Sequence, residues 1–235
     1  MSITVYTMPV KYKGDLIKLL LSYLKQNFQS VATGGEGWAN QAKEFTQNGF
    51  EFPNLPMIVD GDLKLSETSA ILFYLSEKFG DGSLTGKTLA DKAQVRLVEG
   101  VLADLFDNLG KCIFTPEYKE KMKGELEEGS ATTKGIKRLE AFLGQKNYFL
   151  GYLTYVDFIL ANFYWMLQDF YKSAGLANPL ARRNLWKLTQ RVYALDGVKQ
   201  WVAGANGGPG KAYLLVKIKS KIFFKFFFNF SNFFS

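Results

Sequence analysis

The chain has 235 residues, 47% of them hydrophobic, enough for one large domain or two small ones with a real core. It contains no histidine and a single cysteine, Cys112, which removes Ser-His-Asp and Cys-His catalysis, most zinc chemistry and any intramolecular disulfide, and suits a reducing compartment. Five lysines between 211 and 235, with no acid beside them, supply most of the net +7 and leave the other 210 residues at +2, so the body is not a basic nucleic-acid groove.

Ile3 and Val5 alternate with Thr4 and Tyr6, a half-buried strand ending near Thr7. This start is not a charged segment followed by an apolar run, so no signal peptide is expected. After the loop Met8-Pro9-Val10, the residues Leu16, Ile17, Leu19, Leu20, Tyr23 and Leu24 fall on one helical face opened by Gly14 and Asp15. Phe28 to Thr33 reads as a second strand, and Gly34-Gly35-Glu36-Gly37 as a loop leading to Trp38. Met57 to Val59 is a short apolar strand, Asp60-Gly61-Asp62 a tight reversal, and Leu63-Lys64-Leu65 a second strand, so the pair is a β-hairpin. Ser66 is the candidate N-cap of the helix that follows, with Ala70, Ile71, Phe73, Tyr74 and Leu75 as its apolar stripe. Strand, helix, strand, loop, hairpin, helix is the thioredoxin-like order, whose parallel pair demands a helical crossover.

Pro56 stands where a strand begins; a cis peptide there would leave the backbone of Leu55 free to pair with another extended chain. The first turn after the hairpin carries Glu67, Thr68 and Ser69, and backbone N–H groups left open at a helix start favour an anion. Together these make a site for a zwitterion with extended peptide character.

Asn54-Leu55-Pro56, the hairpin and Glu67-Thr68-Ser69-Ala70-Ile71 resemble the glutathione-binding half of the cytosolic glutathione transferases, nearest the mu and sigma classes. The resemblance implies that the Leu55 backbone pairs with the cysteinyl part of glutathione, and that Glu67 and Thr68, beside Asn54 and Pro56, hold the γ-glutamyl end. It also implies that Trp38 and Lys43 flank the glycyl carboxylate, although their spacing is one residue off the family's.

Residues 80–88 form a Gly-rich linker, after which the chain reads as helices only. Leu89 to Leu109 is one long amphipathic run, and Pro116 starts another that breaks near Gly129 and ends about Gly144. Leu153-Thr154-Tyr155-Val156-Asp157-Phe158 reads as a capping box with a hydrophobic staple, a folding element rather than a catalytic one. Gly151 to Asp157 also resembles a helix start of the same family. Further helices are expected around 178–195 and 197–204. The tail 211–235 holds eight of the 21 Phe among Lys, Asn and Ser without a helical or strand period, and its lysines break any run long enough to span a bilayer. It is read as an unselected, disordered extension, ahead of the alternative of a strip lying on an anionic membrane surface.

The expected architecture is therefore a thioredoxin-like α/β domain over 1–82, an all-α domain over 88–209, and the tail. The expected chemistry is attack of the glutathione thiolate on a hydrophobic electrophile, glutathione acting as co-substrate without a metal. A free thiol is only a few per cent ionised at neutral pH, so a hydroxyl donor near the end of the first strand is needed. The family uses a tyrosine. Ungapped alignment of Met8 to Asp15 puts Thr7 there, while one inserted loop residue restores Tyr6; Tyr6 is ranked first for its more acidic phenol, then Thr7, with Tyr12 a third candidate. The hydrophobic substrate is expected at Met8, Leu102, Leu105 and Phe106, and Glu99 or Asp104 is a candidate contact to glutathione across a dimer. Resemblance further implies a cytoplasmic homodimer acting in detoxification, with no nucleic-acid partner. The competing readings are a non-enzymatic binder of the same fold and a sigma-type glutathione-dependent isomerase.

Overall fold

The computed structural model describes residues 2–35, 37–113, 115, 117–174 and 183–204. The tail, Pro116 and residues 178–182 of an expected helix lie outside them. The chain divides into two compact units: residues to Asp81 together with those from Ala194, and Gly82–Tyr193. The first boundary falls inside the expected linker. The last described helix groups with the first unit, whereas the sequence reading assigned everything to 209 to the helical domain.

In the first unit β1 (Ile3–Thr7), α1 (Lys13–Tyr23) and β2 (Phe28–Ala32) form a βαβ unit. Next come α2 (Trp38–Gln47), the hairpin β3 (Met57–Asp60) and β4 (Leu63–Leu65), and α3 (Thr68–Phe79). The sheet order is β2-β1-β3-β4, with β1 parallel to β2 and antiparallel to β3. This is a thioredoxin-like sheet. Ile3, Val5 and Thr7 are buried on one face of β1, and α1 meets its neighbours through Leu16, Ile17, Leu19, Leu20 and Leu21, all buried. Each such side chain stabilises the fold by roughly 1.5–3 kcal/mol relative to leaving it exposed.

Helix α2 was not expected. Its signal is Trp38, Ala42 and Phe45, at spacings of four and three, hidden behind the Gly-rich loop that precedes it. These residues cover the other face of the sheet, where Trp38, Phe50 and Met57 form a buried cluster joined by Tyr6, Phe45, Leu55 and Val59. Hairpin and α3 are tied by Asp60, whose carboxylate accepts from Tyr74 Oη at 2.9 Å and Lys78 Nζ at 2.7 Å. Burial pushes the Asp60 carboxyl up, but those two donors outweigh it and hold the group below its ordinary value.

The second unit is helical: α4 (Leu89–Ile113), α5 (Tyr118–Leu126), α6 (Ala131–Leu143), α7 (Tyr155–Ala174) and α8 (Asn184–Tyr193). The expected break near Gly129 separates α5 from α6. A reciprocal cap starts α4, Thr88 N donating to Asp91 Oδ2 and Asp91 N to Thr88 Oγ1, both at 3.1 Å. The short α9 (Val198–Ala203) packs on α1 in the first unit. Among the described residues no helix is long and apolar enough to cross a membrane.

Candidate functional site

β1 and the parallel β2 end side by side at Thr7 and Ala32, and antiparallel β3 begins at the same edge, Met57 facing Tyr6. Ligands of open α/β sheets sit in the crevice beyond such strand ends. Three loop residues converge there. A Cβ built on Gly34 would lie 2.9 Å from Leu55 Cδ1 and 3.4 Å from Met8 Cγ, so the backbone of 34 approaches both closely. The Leu55–Pro56 peptide is cis, the case the sequence reading considered, with Pro56 buried and Leu55 two residues ahead of β3.

The start of α3 differs from expectation. Glu67, not Ser66, is the N-cap, with φ 64 and ψ 114 and no side-chain cap hydrogen bond. β4 ends at Leu65, so two residues must turn the chain from strand to helix, and Glu67 makes that reversal in a region that non-glycine residues avoid, at roughly 1–3 kcal/mol. Its side chain is exposed, and Glu67 Oε1 accepts from Asn54 Nδ2 at a long 3.4 Å. Asn54, Glu67 and Thr68 therefore gather at one end of the sheet, close in sequence to Leu55 and Pro56.

Tyr6 and Thr7 point to opposite faces, as neighbours in a strand must. The Tyr6 ring lies 5.1 Å from that of Phe45 and 6.4 Å from that of Phe50, edge to face, on the α2 side. Thr7 is buried on the α1 side, and a Cβ on Gly14, in the first turn of α1, would overlap Thr7 Oγ1; only glycine allows this approach. Thr7 Oγ1 donates to Met8 O at 3.3 Å. Tyr12 is the N-cap of α1, and Lys13 Nζ lies 5.7 Å from its ring centroid. Trp38 belongs to the buried cluster, while Lys43 is exposed on α2. Gln41, which the sequence reading passed over, accepts two hydrogen bonds from the loop beneath these residues. Its only sequence signal was a polar position inside a helix that had itself been missed.

In the helical unit, Leu102, Leu105 and Phe106 are buried: Phe106 meets Phe163 at 5.4 Å, and Leu105 fills the space left by the absent side chain of Gly135. Glu99 is buried as well, accepting from Tyr155 Oη at 2.7 Å and from Arg96 Nη1 at 2.8 Å, and burial followed by the Glu99 bond holds the Tyr155 phenol far above its ordinary value. Asp104 is exposed. Burial likewise pushes the Cys112 thiol up, and Sγ donates to Asn108 O, the state of an inert core cysteine. Asp157 is completely buried at the start of α7. It accepts from Phe149 N at 3.0 Å, Thr154 N at 2.7 Å and Thr154 Oγ1 at 3.0 Å. The expected box is present in one direction only, since the Thr154 hydroxyl donates to the carboxylate instead of accepting from the helix. Burial pushes the Asp157 carboxyl up to about 7, against the pull of those donors.

Residues 1–77 match the family model of the glutathione S-transferase N-terminal domain, and residues 103–204 that of the C-terminal domain. The human glutathione S-transferase Mu 4 is 30% identical over 227 residues, 93% of this chain and 98% of the human one. Glutathione S-transferase 2 of Gallus gallus is 26% identical over 211 residues, 86% of this chain and 90% of its own. Among solved structures, rat hPGDS complexed with a quinoline superposes with a TM-score of 0.71 at 20% identity, over 86% of this chain and 96% of the rat one, a likeness of fold. With both domain models matched and a relative covered almost from end to end, the chain belongs to the glutathione S-transferase family.

Proposed function

We propose that the protein transfers glutathione to hydrophobic electrophiles by holding the tripeptide along the strand-end crevice of its first unit. Leu55 pairs its backbone with the cysteinyl part, Glu67 and Thr68 take the γ-glutamyl end with Asn54 bracing Glu67, and the exposed Lys43 of α2, the helix that Trp38 anchors to the core, takes the glycyl carboxylate. The observation that carries this reading is the bond between Asn54 and Glu67, which joins the segment ahead of β3 to the start of α3. Glu67 is exposed there, so its carboxylate is open to an ammonium group.

For the thiol, Thr7 is favoured over Tyr6, reversing the order taken from acidity alone. Its support is the strand alternation: the Thr7 hydroxyl lies against the first turn of α1, the positive end of the helix dipole, which favours a thiolate, whereas the Tyr6 ring is engaged with Phe45 and Phe50 on the opposite face. Each unit of thiol pKa depression is worth about 1.4 kcal/mol of preference for the thiolate. The proposal extends to a cytoplasmic homodimer disposing of reactive apolar compounds, as the resemblance to the cytosolic transferases implies. A second reading, a glutathione binder without efficient catalysis, is favoured by one observation: Thr7 Oγ1 is buried and already donates to Met8 O.

Retention on glutathione resin followed by conjugation of a chloronitrobenzene, for the parent, Tyr6→Phe and Thr7→Ala, separates these. Activity is expected to fall about 10²-fold in Thr7→Ala and to survive in Tyr6→Phe. The reverse pattern would return the role to Tyr6, and retention without activity in the parent would favour the binder.

A further inference from the structure

Gln41 sits in the first turns of α2, its backbone N donating to Gly37 O at 3.1 Å. Its side-chain oxygen receives two donors at once, Thr33 Oγ1 at 2.8 Å and Gly34 N at 3.0 Å. The backbone N–H of Gly34 can only donate, so the amide end that faces the loop is the oxygen. Thr33 is tethered on its other side, its N donating to Thr7 O at 2.9 Å. The segment 33–34 is thus clamped between the last residue of β1 and the side chain of Gln41. From that clamp Gly34, at φ 93, presents bare backbone to Leu55 Cδ1 and Met8 Cγ.

We propose that Gln41 is a positioning residue for glutathione: by clamping Thr33 and Gly34 it fixes the wall that Leu55 leans on, and so the backbone that pairs with the cysteinyl part of the co-substrate. The inference rests on the glutathione reading above. Gln41 touches neither co-substrate nor reacting atoms; it acts through Gly34 and Leu55. Without the amide oxygen, two donors turn to water and the loop is released from Leu55. Binding of the tripeptide then carries the cost of reordering that loop, which raises KM for glutathione and leaves the chemical step on the formed complex unchanged.

The test is steady-state kinetics on the full chain with glutathione and a chloronitrobenzene, for the parent, Gln41→Met, Thr33→Val and the double variant. Gln41→Met keeps the length of the side chain and removes its strong acceptor. KM for glutathione is expected to rise about three- to tenfold in Gln41→Met. It rises less in Thr33→Val, and the double variant is no worse than Gln41→Met because both changes break one shared contact. At saturating glutathione, kcat and the KM for the electrophile stay within about twofold of the parent. A Gln41→Met protein with a lowered melting temperature and an unchanged glutathione KM would make the residue merely structural and overturn the proposal. So would independent, multiplying effects of the two substitutions. A parent that fails to bind glutathione resin would overturn the reading beneath it, a failure seen before any variant is measured.

Discussion

At the start of α7 a buried aspartate, Asp157, takes the N–H of Thr154 and of Phe149 together with the Thr154 hydroxyl, tying the chain ahead of the helix to its first turn. At the start of α3 the N-cap is Glu67, exposed, at positive φ, and without a side-chain cap bond. The sequence around both helices looks alike, an acid and hydroxyls just ahead of an apolar stripe. Their energetics run in opposite directions. The α7 start is closed to a ligand, its carboxylate buried and held by three donors whose loss would be costly, while the α3 start costs stability and leaves a carboxylate exposed. Lack of a cap is not the distinguishing feature, since α1 and α2 also have no side-chain cap bond. What sets α3 apart is backbone held at a strained angle together with a second polar residue, Asn54, brought to it from a different loop.

Three measurements break or sharpen that contrast. The largest effect is expected from Asp157→Ala, which strands two buried N–H groups and a hydroxyl and should lower unfolding free energy by about 3 kcal/mol or more in urea titrations. Glutathione KM should be unchanged in whatever fraction remains folded; a selective loss of affinity would make α7 part of the site. Next is Glu67→Gly, with the signs reversed. Glycine adopts positive φ without strain, so stability should rise by roughly 1 kcal/mol. Loss of a charged hydrogen bond to the γ-glutamyl ammonium should weaken glutathione about 10- to 100-fold. A variant that is both less stable and fully active would erase the contrast. The smallest effect concerns the far end of α3, where Asp60 has a folded pKa held below its unfolded one. A depressed carboxyl contributes stability that is present above the ordinary carboxyl pKa and is lost as pH falls through the folded value. Between about pH 5 and pH 2 the parent should therefore lose more stability than Lys78→Met, and parallel acid profiles would dismiss the pairing.

Much of this protein follows from local chemistry. Strand alternation over Ile3–Thr7, the tight reversal at Asp60-Gly61-Asp62, Pro56 at the mouth of β3 and the break near Gly129 are each written in a few adjacent residues, because turns, caps and side-chain parity are short-range. Those signals sufficed for the thioredoxin-like unit and the helical unit, while the family came from the resemblance carried by Asn54-Leu55-Pro56, the hairpin and Glu67 to Ile71. Asn54, Leu55, Pro56, Glu67 and Thr68 could be grouped because they lie within fifteen positions of one another across a hairpin of known reach.

What stayed hidden depended on how distant elements come together. Parity alone states that Tyr6 and Thr7 face opposite ways, but only the packing of α1 against one side of β1 and of α2 against the other decides which of them meets the start of a helix. Gln41 could not be singled out while α2 was unseen, since its role needs the loop of 33–34 folded back beneath it. Ser66 was the better cap by propensity, yet the tight passage from β4 into α3 moved the helix start to Glu67. Sequence alone determined most of the strands, turns and helices, α2 excepted, because those choices are settled largely by neighbours a few residues away. The tertiary structure decided which side chains share a face and a cavity, because that depends on the register and stacking of elements far apart in the chain.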